Sequence, residues 1–259
     1  MIFHNSLALG ITPEPWHHTT GCIIPKPLKS DYTNPRAFRI ISLTSSFQKL
    51  LVRLILWHLE LDLKIPAKLT KNQHGFRKGK STESAIHLLT RRIEDAMATG
   101  HYALGVFLDI EQAFDAVSFT ATREALLEAN IPPTIAQWIF YMISNRYITL
   151  SYCDYSVTKQ ATKGSPQGGV LSPILWNLTL NIFLSSLGIH SNFVQAFADD
   201  LVILIRGICK VTVKDIAQQQ LSNISSWCTS KGLKLSGTKS TAILFTTKRD
   251  NTLRLPANR

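Results

Sequence analysis

The run Gln195-Ala-Phe-Ala-Asp-Asp-Leu-Val-Ile-Leu-Ile205 restricts what this chain can fold into more than any other stretch. Its apolar halves, residues 193–197 and 201–205, have strand length and aromatic or β-branched content. Asp199 and Asp200 fall between them, so the segment reads as a tight hairpin with two carboxylates at its tip. Adjacent ionised carboxylates among apolar neighbours disfavour one another and are poorly solvated. A hard divalent cation removes that penalty, because such ions prefer carboxylate oxygen. A solvated Asp-Asp turn that merely ends two strands is the competing reading, and the dipeptide alone does not separate the two.

The 259 residues suffice for a substantial core in one domain or two lobes, and 45% of them are apolar. Lys and Arg outnumber Asp and Glu by 28 to 17, a formal charge of +11. That excess favours a polyanionic partner, since cationic contacts to phosphate release counterions; an anionic membrane surface would attract it too. No run is long and uncharged enough to span a bilayer. His4 and Asn5 interrupt the apolar start, so no signal peptide is read. Cys22, Cys153, Cys209 and Cys228 lack zinc or disulfide spacing, and the eight histidines lack ligand spacing. An intracellular setting, nucleus or cytoplasm, is the expectation.

Along the chain, Cys22-Ile-Ile-Pro-Lys-Pro-Leu-Lys29 reads as extended and residues 38–41 as a second short strand. Ser45-Ser-Phe-Gln48 has capping-box form and opens a helix with Phe47, Leu50, Leu51, Leu54 and Ile55 on one face. Residues 68–80 are the most basic stretch. Gly75 and Gly79 make it a loop, with Phe76 set among Arg77, Lys78 and Lys80. An aromatic ring between cations suits a nucleic-acid strand, through stacking and phosphate contact; an ordinary solvated loop is the alternative. A helix from Ser81 buries Ala85, Ile86, Leu89, Ile93, Ala96 and Met97 and stops before Gly100. Residues 104–110 form a buried strand with Asp109 near its carboxyl end. Helices follow over 118–130 and after Pro132-Pro133, then a hairpin about Cys153-Asp154. Gly164-Ser-Pro-Gln-Gly-Gly169 leads into a helix with Ser172 as N-cap and Pro173 in its first turn, ending at Gly188. Beyond the Asp-Asp hairpin lie a helix over 212–231, short strands at 233–235 and 242–246, and a polar, basic tail.

With residues 132–192 set aside, the second half reads strand, helix, strand, strand, helix, strand, the split β-α-β or ferredoxin-like plan. In that plan the first two strands are parallel and the third lies between them, antiparallel to both. Asp109 and Asp199-Asp200 therefore meet on one rim of the sheet. Three gathered carboxylates need cations to stay ionised, which favours the metal reading over the bare turn. Two Mg²⁺ ions held there, with Mn²⁺ as a substitute, suit in-line displacement at phosphate. Such chemistry asks little else of the protein than positioning and positive charge.

These segments, in their order, resemble the reverse transcriptase domain of non-LTR retrotransposons from about Phe3 to Phe245. The resemblance rests on Ile23-Ile-Pro-Lys-Pro, Phe38-Arg-Ile-Ile-Ser-Leu, Gln73-His-Gly-Phe-Arg-Lys-Gly-Lys-Ser-Thr82, Phe107-Leu-Asp-Ile-Glu-Gln-Ala-Phe-Asp-Ala-Val117, Gly164–Pro173, Phe197-Ala-Asp-Asp200 and Gly232–Lys239. Gln112 stands where many relatives have lysine, and Phe197 where tyrosine is commonest. The resemblance implies an α+β polymerase right hand: fingers over 1–100, then a ferredoxin-like βαββαβ palm over 101–246 with helices on one face. Residues 132–163 would be a fingers-like insertion, and the basic tail 247–259 would end before the thumb.

Function then follows by resemblance: an RNA-directed DNA polymerase extending a primer 3′-OH along an RNA template with deoxynucleoside triphosphates. Asp109, Asp199 and Asp200 would hold the two metals. Phe114 would be the aromatic gate that rejects a ribose 2′-OH, its competing role being a core ring. Gln167 and Gly168 would line the incoming nucleotide and template. Lys26 and Arg39 would hold the triphosphate, and Lys239 would protonate the leaving pyrophosphate, a plain surface lysine being the competing reading. Phe76, Arg77, Lys78 and Lys80 would meet nucleic acid. A thumb-less, inactive nucleic-acid-binding remnant is the alternative. A cyclase on a similar sheet is disfavoured, because it needs no template-binding loop.

Overall fold

The computed structural model describes residues 1–186 and 193–248. In chain order the elements are α1 (Ile2–Leu9), β1 (His18–Pro25), β2 (Phe38–Leu43), α2 (Ser46–Trp57), α3 (Ile65–Lys68), α4 (Thr82–Ala98), β3 (Tyr102–Glu111), α5 (Ala113–Ala116), α6 (Phe119–Glu128), α7 (Pro133–Ser144), β4 (Tyr147–Tyr152), β5 (Tyr155–Gln160), α8 (Ser172–Ser186), β6 (Phe193–Phe197), β7 (Asp200–Gly207), α9 (Lys210–Ser230), β8 (Lys234–Leu235) and β9 (Thr241–Phe245). They build two sheets. One runs β2-β1-β4-β5, with β4 parallel to β1 through the register His18↔Tyr147 to Gly21↔Leu150. The β4–β5 hairpin, far along in sequence, thus returns to the amino-terminal sheet.

The second sheet runs β6-β7-β3-β8, with β9 also on β3. Strand β7 lies antiparallel between β3 and β6, so β3 and β6 are parallel, as the split β-α-β plan requires. Alternation along β3 sends Val106, Leu108 and Ile110 to one face, where they meet Trp176 and Leu180 of α8 and Ile224 of α9. Burying each large apolar side chain there contributes roughly 1.5–3 kcal/mol. Helices α8 and α9 therefore share one face of this sheet. Helix α4 adds cover to the far half of the other face, through Leu89, Ile93 and Ala96 against Ala103, Phe193 and Leu204. That helix starts cleanly because Ser81 and Ser84 form a reciprocal capping box.

Local readings differ in four places. Leu51 and Ile55 of α2 are buried together with Gln48 and Val52, whereas Phe47, Leu50 and Leu54 lie on the exposed side. The apolar stripe is wider than the buried one, and periodicity alone cannot say which half meets the core. Ser45 precedes α2 but its side chain makes no capping bond. Ser172 is the first residue of α8, and its hydroxyl donates inward to the Pro166 carbonyl at 2.7 Å rather than capping. Ile86 of α4, expected on the buried side, is 64% exposed, because the apolar contacts of that helix with the sheet come from its later turns. The expected stop at Gly188 and most of the basic tail lie outside the described residues. Among the described residues no helix is long and apolar enough to cross a membrane.

Candidate active site

Strand β3 delivers Asp109 directly opposite Asp200, the first residue of β7, in the antiparallel register. Cross-strand partners have Cα atoms about 4.5–5.5 Å apart, and Asp199 is one peptide further, so all three lie within about 10 Å along the rim. The reversal that makes this possible is tight. Phe197 pairs with Asp200, and Ala198 takes a left-handed conformation at φ 54°. An alanine in that region is strained and persists only where its surroundings hold it. Here Trp176 Nε1 donates to the Ala198 carbonyl at 2.8 Å, while His74 N donates to the Ala196 carbonyl and Ala196 N to that of Asn72.

Electrostatics at the rim are those of crowded anions. The Asp200 carboxyl is pushed above its ordinary range, first by burial and then by the charges of Asp199 and Asp109, with Lys239 opposing. Lys239 Nζ donates to both oxygens of Asp109, at 3.2 and 2.9 Å, and so sits as the local counter-charge. Among the described residues no three acidic, histidine or cysteine side chains are already drawn to metal-ligand spacing. The donor set nonetheless suits a hard divalent ion: carboxylate oxygens only, mutually repelling, at a mouth that admits solvent. An open cleft of about 520 Å³ runs between α4 and the sheet, bordered by Asp109, Asp200, Lys239, Phe107, Phe197 and Ile86.

Around this rim the other expected residues distribute unevenly. Phe114, on α5, packs its ring against Phe76 at 5.9 Å and Trp176 at 6.1 Å. Gln167 and Gly168 lie on a loop bound to β2: Gln167 O accepts from Ser42 N at 2.9 Å, and Gly168 takes φ 89° with Ile41 against it. Lys26 Nζ donates to the Arg36 carbonyl, and its pKa is lowered by burial and then by the charges of Arg39, Lys29 and Lys239. Lys26, Arg39 and Lys239 therefore form one basic neighbourhood reaching from the β1–β2 sheet to the carboxylates. Lys78 is exposed, and Lys80 Nζ donates to the Lys71 carbonyl. Arg77 differs from expectation. Its guanidinium is spent on the carbonyls of Thr70, Gln73 and Pro66 at 2.7–2.9 Å, so it braces its own loop rather than facing outward.

Sequence reasoning missed the buried polar frame beneath the rim. Gln73 Nε2 bonds the Asn177 carbonyl and side chain, Asn177 Nδ2 bonds the Gly75 carbonyl, and Gln195 Nε2 bonds the Ala85 carbonyl. His74 is buried with Nδ1 on Ser84 Oγ, and burial, then Lys80 and Arg77, lower its pKa. Arg146 is 5% exposed, donates to the Gly164 carbonyl at 3.4 Å, and is held down to about 10 by burial, with Asp115 opposing. Its remaining nitrogens and Gln48 Oε1 find no protein partner among the described residues, and both residues border a cavity of about 30 Å³ behind Gly168-Gly169, room for one water. Asn177 and Gln195, polar residues inside otherwise apolar runs, were the available signal; Gln73, His74 and Arg146 sit in polar stretches that carry none.

A family model described as reverse transcriptase (RNA-dependent DNA polymerase) matches residues 24–253. The chain belongs to that family. It is 29% identical over 257 residues to the probable RNA-directed DNA polymerase from transposon BS of Drosophila melanogaster, covering 96% of this chain and 28% of the relative. It is 27% identical to the RNA-directed DNA polymerase from mobile element jockey of the same fly, over 95% of this chain and 27% of the relative. A retrovirus-related Pol polyprotein from type-1 retrotransposable element R2 of Popillia japonica is 31% identical over 211 residues, 76% of this chain and 29% of the relative. The chain thus spans less than a third of the length of these relatives. Its fold is similar to a solved apo telomerase from Candida tropicalis truncated from the C-terminal domain, with a TM-score of 0.64 at 15% identity over 94% of this chain and 53% of that one. The resemblance to reverse transcriptase domains of non-LTR retrotransposons therefore holds over most of the sequence.

Proposed function

We propose that the chain adds deoxynucleotides to a primer 3′-OH on an RNA template, acting in the nucleus or cytoplasm. The observation that carries this reading is the pairing of Asp109 with Asp200, next to Asp199, at the mouth of an open cleft. In this reading residues 1–100 with 132–163 are fingers and 101–246 are palm. Asp109, Asp199 and Asp200 hold two divalent cations, Mg²⁺ or Mn²⁺. Bound there, such cations would supply the positive charge that favours ionisation of the attacking hydroxyl and neutralises the leaving phosphate oxygens. The chain's own groups do the positioning. Arg39 and Lys26 hold the triphosphate, Gln167 and Gly168 support the nucleotide, and Phe114 excludes a ribose 2′-OH. Lys78 and Lys80 hold nucleic-acid phosphate, and Lys239, released from Asp109, carries the proton to pyrophosphate.

The names of the retrotransposon relatives support the reaction, and a solved telomerase in complex with a fragment of telomeric RNA supports the class of partner. The remnant reading draws on one observation, the ammonium of Lys239 already seated on Asp109. Primer extension on poly(rA)/oligo(dT) tests between them, with this chain, its Asp199→Asn variant and a version carrying the following thumb sequence. Extension by both parents and none by Asp199→Asn is expected. Template binding without extension in either parent would leave the remnant.

A further inference from the structure

Phe76 sits oddly for a residue whose task is to stack on a passing base. It is a non-glycine in the left-handed region at φ 56°, a conformation a phenylalanine adopts only when its surroundings impose it. The residue before it is pinned in place. Gly75 presses on the catalytic turn so closely that a Cβ there would fall 2.3 Å from the Ala198 nitrogen, and its carbonyl accepts from Asn177 Nδ2 at 3.0 Å. The ring that results meets Phe114 edge-on, at 5.9 Å and 77°. Phe114 also meets Trp176 at 6.1 Å, and Trp176 is itself bonded to the Ala198 carbonyl.

We infer that Phe76 is a positioning residue for sugar selection: with Trp176 it clamps the Phe114 ring in one pose and registers that ring to the turn bearing Asp199. The inference rests on the reading of Phe114 as the sugar gate. A steric gate rejects an added hydroxyl only if it cannot swing aside, and one small polar group is otherwise discriminated weakly. Trp176, bonded to the Ala198 carbonyl, and Phe76, which follows the glycine packed on the Ala198 backbone, supply that stiffness. Phe76, 56% exposed as a whole, acts on the ribose through its edge contact with Phe114 rather than by stacking on a template base.

The test measures binding of dATP and ATP with Mg²⁺ to the full chain on an RNA template carrying a dideoxy-terminated primer, so that no chemistry intervenes. Phe114→Ala is expected to abolish the preference for dATP. Phe76→Leu is expected to lower it about fivefold, mainly by tighter ATP binding, the range that one lost aromatic pair carries. Phe76→Tyr should retain the preference. Phe76→Gly, which relaxes the backbone while removing the ring, should behave as Phe76→Leu and covers misfolding of the latter. An intact preference in both Phe76→Leu and Phe76→Gly overturns the inference, as does weaker primer–template binding with the preference unchanged. No preference in the parent chain, or none lost in Phe114→Ala, sinks the gate reading instead.

Discussion

Replacing Gly75 by alanine sets one methyl group against the backbone of the turn that carries Asp199. The added Cβ would lie 2.3 Å from the Ala198 nitrogen and 2.9 Å from its Cα, where ordinary contact begins at 3.4 Å. Neither partner is the far end of a flexible side chain, so loop and turn must separate by about 1 Å, the shortfall in that contact distance. Two hydrogen bonds span that seam, His74 N to the Ala196 carbonyl and Ala196 N to the Asn72 carbonyl, while Trp176 Nε1 holds the turn to α8 through the Ala198 carbonyl. Weakening the two seam bonds costs about 1 kcal/mol each, and overpacking adds roughly 1–3 kcal/mol. A loss of about 3–5 kcal/mol is expected, which leaves a domain of mid-range stability folded. The same displacement moves Asp199, and misplacement by about 1 Å costs on the order of 100-fold in rate. Urea denaturation of Gly75→Ala reads the first effect, and single-nucleotide incorporation by the thumb-extended chain reads the second. A midpoint within about 0.5 kcal/mol of the parent, with an unchanged incorporation rate, would refute the seam.

Other perturbations probe separate parts of the frame. Because burial depresses the His74 pKa below 6.5, the unfolded chain takes up that proton first, so stability should fall as pH drops below 6.5. His74→Gln should flatten that slope in thermal melts taken between pH 7.5 and 5. Mn²⁺ at tenfold its dissociation constant should stabilise the parent by about 1.4 kcal/mol, and Asp200→Asn should lose most of that shift. Lys239→Met, which frees Asp109 of its ammonium, should bind Mn²⁺ roughly two- to fivefold more tightly, in keeping with an exposed ion pair. Titration followed by electron paramagnetic resonance reads that change, and weaker binding would count against Lys239 as the competing cation. Trp176→Phe keeps a ring beside Phe114 but loses the bond to Ala198, and should cost about 1 kcal/mol in a denaturant melt.

The parts of this molecule legible in its sequence are those whose signal is local and periodic. Strand β3, the β6–β7 hairpin, the capped start of α4 and the meeting of Asp109 with Asp200 all follow from apolar runs, turn chemistry and one topological rule. The parallel pairing of β4 with β1 does not, because it joins segments some 130 residues apart that carry no mark of each other. Arg77 shows the limit at the site itself. A basic loop announces charge, yet whether a guanidinium faces solvent or three backbone carbonyls depends on where Pro66 and Thr70 end up. Phe47, Leu50 and Leu54 show the same limit on a helix, where a broad apolar face outruns the core available to it.

Strand β3 also sets the order in which the molecule can be assembled. It is the hub of its sheet, yet its partners β7 and β9 come at 200–207 and 241–245. A nascent chain therefore exposes a ten-residue, mostly apolar ribbon with both edges bare while the whole of α5 to β6 is still being made. Pairings at such separation close slowly and leave sticky intermediates. Asp109 acquires its carboxylate neighbours only after residue 200 has been synthesised, so the acidic cluster on the rim is a late product of this fold.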